Sequence, residues 1–170
     1  MTGGRDDRSG PGPGWTMFML TQLGTLGSRR FAERLKPLGL TPAHAGLLRA
    51  VGQEPGRSQQ ALAAQLGLLP SRLVALVDEL ERAGLMERRR HPHDRRHHAL
   101  HLSAAGEDTL RKIGRIAHQH GQDMLEPLGE QDRAALGQLL GRLAAHHGLT
   151  PKVHPGYRDL GREHQRTEAG

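Results

Sequence analysis

Arginine and histidine are concentrated in the sixteen residues from Glu87 to Leu102, which contain five of each. The guanidinium group donates charge-assisted hydrogen bonds to phosphates and carboxylates, and imidazole adds positive charge when it is protonated. Five arginines against two carboxylates give this segment three of the six net positive charges of the chain. The segment therefore predicts contact with an anionic partner, for which a nucleic acid and an acidic membrane surface are the alternatives.

A β-hairpin is predicted for this segment, with strands over residues 85–90 and 98–102 and a connecting loop that contains Pro92 and Asp94. An arginine carried on an extended arm fits the narrow minor groove of DNA, where the negative potential is enhanced. The alternative is an ordinary charged hairpin. We name residues 85–102 the wing and predict that Asp94 holds a nearby arginine in place while the wing contacts DNA through Arg88, Arg90, Arg95 and Arg96.

Two helices precede the wing, one from about Ser58 to Gly67 and one from Pro70 to Gly84. Gly67 suits the left-handed residue that ends a helix, and Pro70 suits the first position of the next. Small residues lie where these helices would cross. The pattern is typical of a helix-turn-helix, whose second helix enters the major groove of DNA with its N-terminal residues at the base edges. The residues at that end are Pro70, Ser71, Arg72, Val74 and Ala75.

The side chains at the start of the second helix differ in what they can contact on DNA. Arg72 can donate two parallel hydrogen bonds to guanine, which is worth roughly 1–3 kcal/mol of discrimination. Val74 or Ala75 can contact the methyl group of thymine. Ser71 and the backbone amides near Pro70 lie where a helix N-terminus meets phosphate. The alternative for Arg72 is a solvated helix residue without a partner.

The apolar spacing elsewhere in the chain is helical. One helix is predicted over residues 15–35, one from Thr41-Pro42 to before Pro55, a long one after Ser103 and a last one from about Gln131. Hydrophobic residues make up 35% of the chain and aromatic residues 2%, which favours helices packed through Leu, Ala and Val over sheets. The predicted fold class is mainly α, a winged helix-turn-helix with a two-stranded hairpin and dimerisation helices at both ends.

We predict one domain over residues 15–148, with a DNA-binding lobe over about 41–103. Residues 1–14 and 149–170 are predicted to be a disordered arm and a disordered tail. The chain has no cysteine, no secretory signal and no run of about 18 apolar residues. We therefore expect a cytoplasmic protein with no cofactor and no membrane partner.

The twelve histidines of the chain raise the alternative of a metal site in the wing. Strand alternation places His98 and His101 on opposite faces of the hairpin, and His91 and His93 flank Pro92. No cysteine or second carboxylate completes a ligand set, so we predict no metal. A metal-responsive regulator that uses the wing histidines remains an alternative function.

Four short motifs, in their order and spacing, resemble those of the MarR family of winged helix-turn-helix regulators. They are Leu40-Thr41-Pro42, the run from Leu80 to Leu85, Asp94-Arg95-Arg96 and the run from Leu100 to Gly106, and the resemblance spans about residues 15–148. It implies a homodimer with interlocking first and last helices, a pseudo-palindromic operator and repression of neighbouring genes. It also implies a cleft for small, often phenolic, ligands between the dimer helices and the DNA-binding lobe.

For such a ligand cleft the candidates are Trp15, Phe18 and His44, with His44 as the polar group, against the alternative that all three pack in the core or the dimer. No glycine-rich phosphate loop, metal triad or activated nucleophile motif is present, so we expect no enzyme. The expected function is sequence-specific regulation of transcription by a homodimeric repressor on double-stranded DNA. A non-specific architectural DNA-binding protein is the alternative.

Overall fold

The computed structural model describes residues 12–91 and 94–149, and the side chains of residues 90–98 lie outside it. Within these residues the fold is mainly helical with one two-stranded antiparallel sheet, as predicted. A short 3-10 helix over Lys36–Leu38, which was not predicted, joins the first helix to the second. The helices are α1 (Pro13–Leu35), α2 (Pro42–Gln53), α3 (Gln59–Leu66), α4 (Pro70–Arg82), α5 (Ala104–Met124) and α6 (Glu130–His146).

The predicted arm and tail fall almost entirely outside the described residues. The exceptions are residues 12–14 and Leu149. Helix α1 begins at Pro13, two residues before its predicted start, because proline is well suited to a first helical position.

Local capping explains where α2, α3 and α4 begin and end. Thr41 and Ser58 each accept a hydrogen bond from a backbone amide in the first turn of the helix that follows. Pro42 and Pro70 occupy first helical positions, where the missing amide hydrogen costs nothing. Gly67 has a φ of 65° and ends α3 in the left-handed conformation. These predicted boundaries are confirmed, and they set the corner of the helix-turn-helix.

The core lies where α2, α3 and α4 meet the end of α1, the base of the wing and the start of α5. Apolar residues of α4 recur at spacings of three, one and three, which predicts a single inner face, and all four are buried: Leu73, Leu76, Val77 and Leu80. Burial of aliphatic side chains drives this packing, since the composition offers few aromatic residues. The most fully enclosed side chains are Leu35, Leu47, Leu48, Leu62, Leu73, Leu76, Leu80, Leu100, Val51 and Val77. The inner face of α4 therefore packs against a continuous core of aliphatic side chains.

The wing consists of strands β1 (Met86–His91) and β2 (Asp94–Leu102), which pair antiparallel. The second strand was predicted to begin at residue 98, and Asp94 was placed in the loop. In the structure Asp94 pairs with His91, because the ladder continues towards the tip past an irregularity between Arg90 and His91. The hairpin is thus longer than predicted.

The base of the wing is also held from its other side. The Gly56 amide donates to the Leu100 carbonyl at 2.9 Å, and the Leu100 amide donates to the Arg57 carbonyl at 3.0 Å. Ser58 forms an isolated bridge with Ala99 next to these bonds. The sequence indicated only that the second helix ends before Pro55. Because β2 is hydrogen-bonded on both sides at this level, the wing base is fixed to the segment that leads into α3.

Helices α1 and α6 lie at the edge of the fold with apolar side chains in solvent. None of the α6 residues is buried, and only Leu35 is buried in α1. Among the described residues no single helix could cross a membrane by length and composition, and α3 with α4 passes that test only as a pair bent by 113°. The exposed apolar residues of α1 and α6 include Trp15, Met17, Phe18, Leu23, Leu139, Leu140 and Leu143.

Where α1 packs on α5, the position of His120 predicts that the fold is sensitive to acid. Its ring lies 5.6 Å from the Phe31 ring, centroid to centroid, and its Nδ1 is buried without a partner among the described residues. Burial lowers the pKa of His120 below its usual 6.5, and the Arg34 guanidinium lowers it further. The neutral ring is favoured in the folded state, so the stability that it contributes is present above pH 6.5 and is lost as the pH falls through the lower folded pKa.

We expect His120→Gln to reduce the loss of stability on acidification. The thermal midpoint of the wild type and the variant would be measured at about pH 7.5 and about pH 5.5, which bracket the ordinary titration of histidine. His118→Gln, at an exposed position of the same helix, is the matched control and should behave as the wild type. Equal acid sensitivity of all three proteins would show that His120 makes no such contribution.

Candidate nucleic-acid interface

The N-terminal half of α4 is the exposed end of the helix-turn-helix. Ser71 is exposed, Arg72 and Ala75 are half-buried, and Val74 is 39% exposed although it is apolar. No side chain caps this helix, so the amides of its first turn are available to an outside acceptor. The structure therefore brings the five residues predicted for the second helix to one end of α4, beginning at Pro70.

Arg72 combines partial burial with an unsatisfied donor. Its Nε atom is shielded from solvent and has no hydrogen-bond acceptor among the described residues. A buried donor that lacks an acceptor costs about 1–3 kcal/mol. Rotation of this side chain towards an acceptor at this end of α4, such as a base edge or a phosphate oxygen, would satisfy that donor and recover the free energy.

The carboxylates of α4 lie in its second half, and each has a partner. No acidic residue occurs from position 70 to position 77. Asp78 and Glu81 contact the Arg88 guanidinium, and Glu79 contacts the His44 ring. The negative charge of α4 is therefore kept away from its N-terminus. The helix dipole adds positive potential at that end.

Arg88 of β1 joins the wing to α4. Its guanidinium contacts Asp78 and Glu81, and its backbone amide donates to a Glu81 side-chain oxygen at 2.9 Å. The Arg88 side chain is 24% exposed, so this cluster is partly shielded from water. Arg88 was predicted to contact DNA, whereas in the structure its guanidinium is directed at carboxylates of its own chain. Sequence spacing gave no sign of these partners.

His44 is buried at the start of α2, with both ring nitrogens in contact with groups of the chain. Nδ1 lies 3.2 Å from the Thr41 amide nitrogen, and Nε2 lies 2.7 Å from a Glu79 carboxylate oxygen. The His44 amide in turn donates to the Thr41 hydroxyl, which completes a reciprocal cap. No ring nitrogen of His44 is left for a ligand.

At the outer part of the wing the structure describes the backbone only. Arg90 pairs with His98 in the ladder, and β2 begins at Asp94. The predicted contacts of the Arg90, Asp94, Arg95 and Arg96 side chains lie outside the described part of the chain. These residues belong to a paired hairpin, as predicted, but Asp94, Arg95 and Arg96 are part of strand β2 and not of the predicted loop.

Known proteins share this order of helices and wing. The family model of the MarR family matches residues 38–97. A protein of Thauera aromatica that is named as a transcriptional regulatory protein for the hcr operon is 35% identical over 124 residues, which cover 72% of this chain and 75% of that protein. The chain belongs to the MarR family. It is a DNA-binding regulator of transcription, a class distinct from enzymes.

Solved structures of MarR-family proteins share the fold. The transcriptional repressor CouR, bound to a 23-mer DNA duplex, matches with a TM-score of 0.67 and 35% identity, over 75% of this chain and 90% of that one. Wild-type MarR from E. coli in its apo form matches with a TM-score of 0.69 and 22% identity, over 80% of this chain and 98% of that one. The second likeness supports the fold alone.

The candidate ligand residues of this MarR-family chain do not meet in one place. The Trp15 and Phe18 rings lie 6.2 Å apart, centroid to centroid, and both are more than half exposed. An open groove of about 520 Å³ runs along α1 from Phe18 to Arg29, and His44 does not line it. The polar side chain at its end is Arg29, which was not among the predicted residues.

The described residues of this MarR-family chain do not support the alternative of a metal site. Among them no group of three histidine, cysteine or acidic side chains is placed to hold an ion. Of the wing histidines, only His101 has a described side chain, so the others are not tested.

Leu69 is an interface candidate that the sequence did not reveal. It is the residue before Pro70 and is 62% exposed, whereas the neighbouring Leu68 is buried. A Leu-Leu pair in a turn does not show which of the two side chains faces the core. The available signal was its place directly before the predicted start of the DNA-reading helix.

Proposed function

We propose that this MarR-family protein is a homodimeric, sequence-specific repressor that binds a pseudo-palindromic operator, with the cytoplasm as its place of action. The N-terminal end of α4 carries the proposal. It is uncapped and free of carboxylates, and it holds Arg72, whose Nε lacks an acceptor among the described residues. Such an end suits the base edges and phosphates of a major groove.

Each exposed residue at this end has a proposed contact. Arg72 donates to a guanine, because its guanidinium matches the two acceptors of that base in the major groove. Val74 and Leu69 offer apolar contact to thymine methyl groups or sugars, since both are exposed although apolar. Ser71 and the first-turn amides bind a phosphate. The small Ala75 permits close approach and leaves part of the readout to DNA shape.

The wing has two proposed roles. Arg90, Arg95 and Arg96 reach the minor groove beside the half-site, and Asp94 orients one of these guanidinium groups. Arg88 is assigned a positioning role instead of a DNA contact, because it is occupied by two α4 carboxylates. It couples the wing to the helix that reads bases, so both would approach the duplex as one unit.

The homodimer is proposed from the apolar side chains that α1 and α6 expose. Leu139, Leu140 and Leu143 of α6 are each at least 40% exposed, and Trp15 and Phe18 of α1 are more than half exposed. Apolar surface on two peripheral helices favours burial against a second copy. A twofold axis would then present two α4 ends to two half-sites.

A small aromatic effector is proposed to weaken operator binding by occupying the α1 groove. Phe18 lines this groove, with the exposed Trp15 ring 6.2 Å from the Phe18 ring outside it, so an aromatic effector would stack on Phe18 while Arg29 pairs with its carboxylate or phenolate. The same rings could equally pack in the dimer. Titration of the operator complex with a panel of phenolic carboxylates separates the two roles, since release supports the effector and no release across the panel leaves the rings to dimer packing.

Selection of bound fragments from random DNA at fixed salt tests the main proposal. We expect one enriched pseudo-palindromic sequence, preferred over random DNA by about 4–10 kcal/mol. A steep salt dependence with no enriched sequence would contradict the proposal and favour the architectural alternative. Retention of the enriched sequence by the wild type at several salt concentrations is the control for purely electrostatic binding.

A further inference from the structure

The hydrogen-bonded pair of His44 and Glu79, here the His44–Glu79 link, joins the first turn of α2 to the second half of α4. We propose that this link is a positioning device that fixes the rotation of α4 relative to α2. It thereby sets the half-site spacing that the dimer accepts. The proposal rests on the proposed function, since spacing has meaning only for a dimer that reads two half-sites.

His44 is the one buried polar side chain among the described residues. Burying an imidazole in an aliphatic core is unfavourable unless its nitrogens are hydrogen-bonded. Here each nitrogen has a partner, Thr41 on one side and Glu79 on the other. The cap alone needs only Nδ1, so the contact of Nε2 with the recognition helix is a second role.

The geometry also assigns the tautomer of the ring. A backbone amide can only donate, so Nδ1 accepts from the Thr41 amide and the ring proton lies on Nε2. That Nε2–H group donates to the Glu79 carboxylate at 2.7 Å. The neutral ring therefore donates to one element and accepts from the other at the same time. The link is directional at both ends.

A directional contact is what the aliphatic packing under α4 lacks. Apolar burial holds α4 close to α2 and prevents large rotations, but it is non-directional, so it restrains small rotations about the helix axis less sharply than a hydrogen bond does. The hydrogen bond to Glu79 is set by angle as well as distance. Rotation of α4 would carry Glu79 away from His44, and it would carry Arg72 away from its base by the same angle.

The link also lies on the path from α1 to the DNA. The first turn of α2 follows α1 after only the short 3-10 helix and three further residues. The Leu40 amide donates back to the Leu35 carbonyl at 3.4 Å, and both side chains are buried in the core. The His44 end is therefore tied to the helix proposed for the dimer, while the Glu79 end lies on the helix proposed to read bases.

Three variants separate the link from the cap. His44→Gln retains a side chain that can accept from the Thr41 amide, as in a standard capping box, but turned towards the cap it does not reach Glu79. Glu79→Ala removes the acceptor and leaves the cap intact. Glu79→Gln keeps an acceptor oxygen for Nε2–H without the charge, so it should rescue the geometry. Glu33→Ala, which breaks an exposed ion pair with Lys36, is the matched surface control.

The test measures affinity of the full chain for the selected operator, for versions with one base pair inserted or deleted between half-sites, and for random DNA at one salt concentration. In the wild type a spacing change should lower affinity sharply. In His44→Gln and Glu79→Ala we expect the decrease in affinity caused by a spacing change to be about fivefold smaller than in the wild type. We also expect the affinity for the operator of native spacing to fall by about 3- to 10-fold. Glu79→Gln and Glu33→Ala should follow the wild type.

The outcomes that would overturn the positioning role differ from the one that would overturn the proposed function. If His44→Gln loses thermal stability and operator affinity but keeps the wild-type spacing preference, the link is structural only and the positioning role is overturned. If Glu79→Ala fails to fold, the spacing preferences of His44→Gln and Glu79→Gln are compared instead. A wild-type preference in both variants would overturn the positioning role. A wild type without any preferred operator contradicts the proposed function itself, a failure that is visible before any variant is compared.

Discussion

Leu143→Asp is expected to convert the protein into a monomer and to lower its affinity for a two-half-site operator by about 10²–10⁴-fold, the gain that linking two binding modules provides. Leu143 is 48% exposed in a helix that buries no residue. It lies four residues after Leu139 and three after Leu140, so the three side chains share a helix face. A charge in the middle of that face would have to be buried unpaired in the dimer.

Size-exclusion chromatography with light scattering, followed by operator titration, measures both parts of this expectation. Gln138→Asp is the control, because it adds the same charge at an exposed α6 position outside the leucine face. It should leave mass and affinity unchanged. A dimeric Leu143→Asp with wild-type affinity would show that α6 does not form the interface, and a wild-type monomer would remove the homodimer from the proposal.

Features encoded by neighbouring residues could be predicted from the sequence. The start of α2 at Pro42 and the corner at Gly67 follow from caps and backbone preferences within a few positions. The buried face of α4 follows from apolar spacing of three and four. The same reasoning placed Arg72 at the exposed end of α4, because the turn before Pro70 fixes where that helix begins.

What could not be predicted depends on residues far apart in the chain. Glu79 lies 35 positions after His44, and Arg88 lies 10 positions after Asp78. No local pattern shows that these side chains meet, since their contact follows from how α2, α4 and β1 pack. His44 was accordingly a candidate ligand residue, with core packing as the alternative, and Arg88 was expected to contact DNA, whereas in the structure both side chains contact carboxylates of α4.

The three carboxylates of α4 have a consistent explanation in this arrangement. Near a phosphate backbone, unpaired acidic groups on the reading helix would be repelled. Arg88 and His44 contact them from two sides in the second half of the helix, and the first two turns contain no acidic residue. The acidic groups of α4 are thus confined to its second half, where each has a partner in α2 or β1.

Arg72→Ala is expected to remove most sequence preference while leaving binding to random DNA nearly unchanged. Arg72 is the one cation in the first two turns of α4, and its Nε has no acceptor among the described residues. Loss of a bidentate contact to guanine costs about 1–3 kcal/mol per half-site, and a dimer contains two such contacts. Random DNA is held mainly through phosphates, which this side chain would not dominate.

Titrations of the selected operator, of operators with single guanine replacements and of random DNA, all at one salt concentration, measure this effect. Arg82→Ala is the control. Arg82 is exposed in the last turn of the same helix, so this substitution removes an equal charge at a position away from the proposed interface. The wild type should discriminate against replacement of one particular guanine, and Arg72→Ala should not. If Arg72→Ala instead weakened operator and random DNA equally, Arg72 would be a phosphate contact, and base reading would have to come from other residues of α4 or from the shape of the DNA.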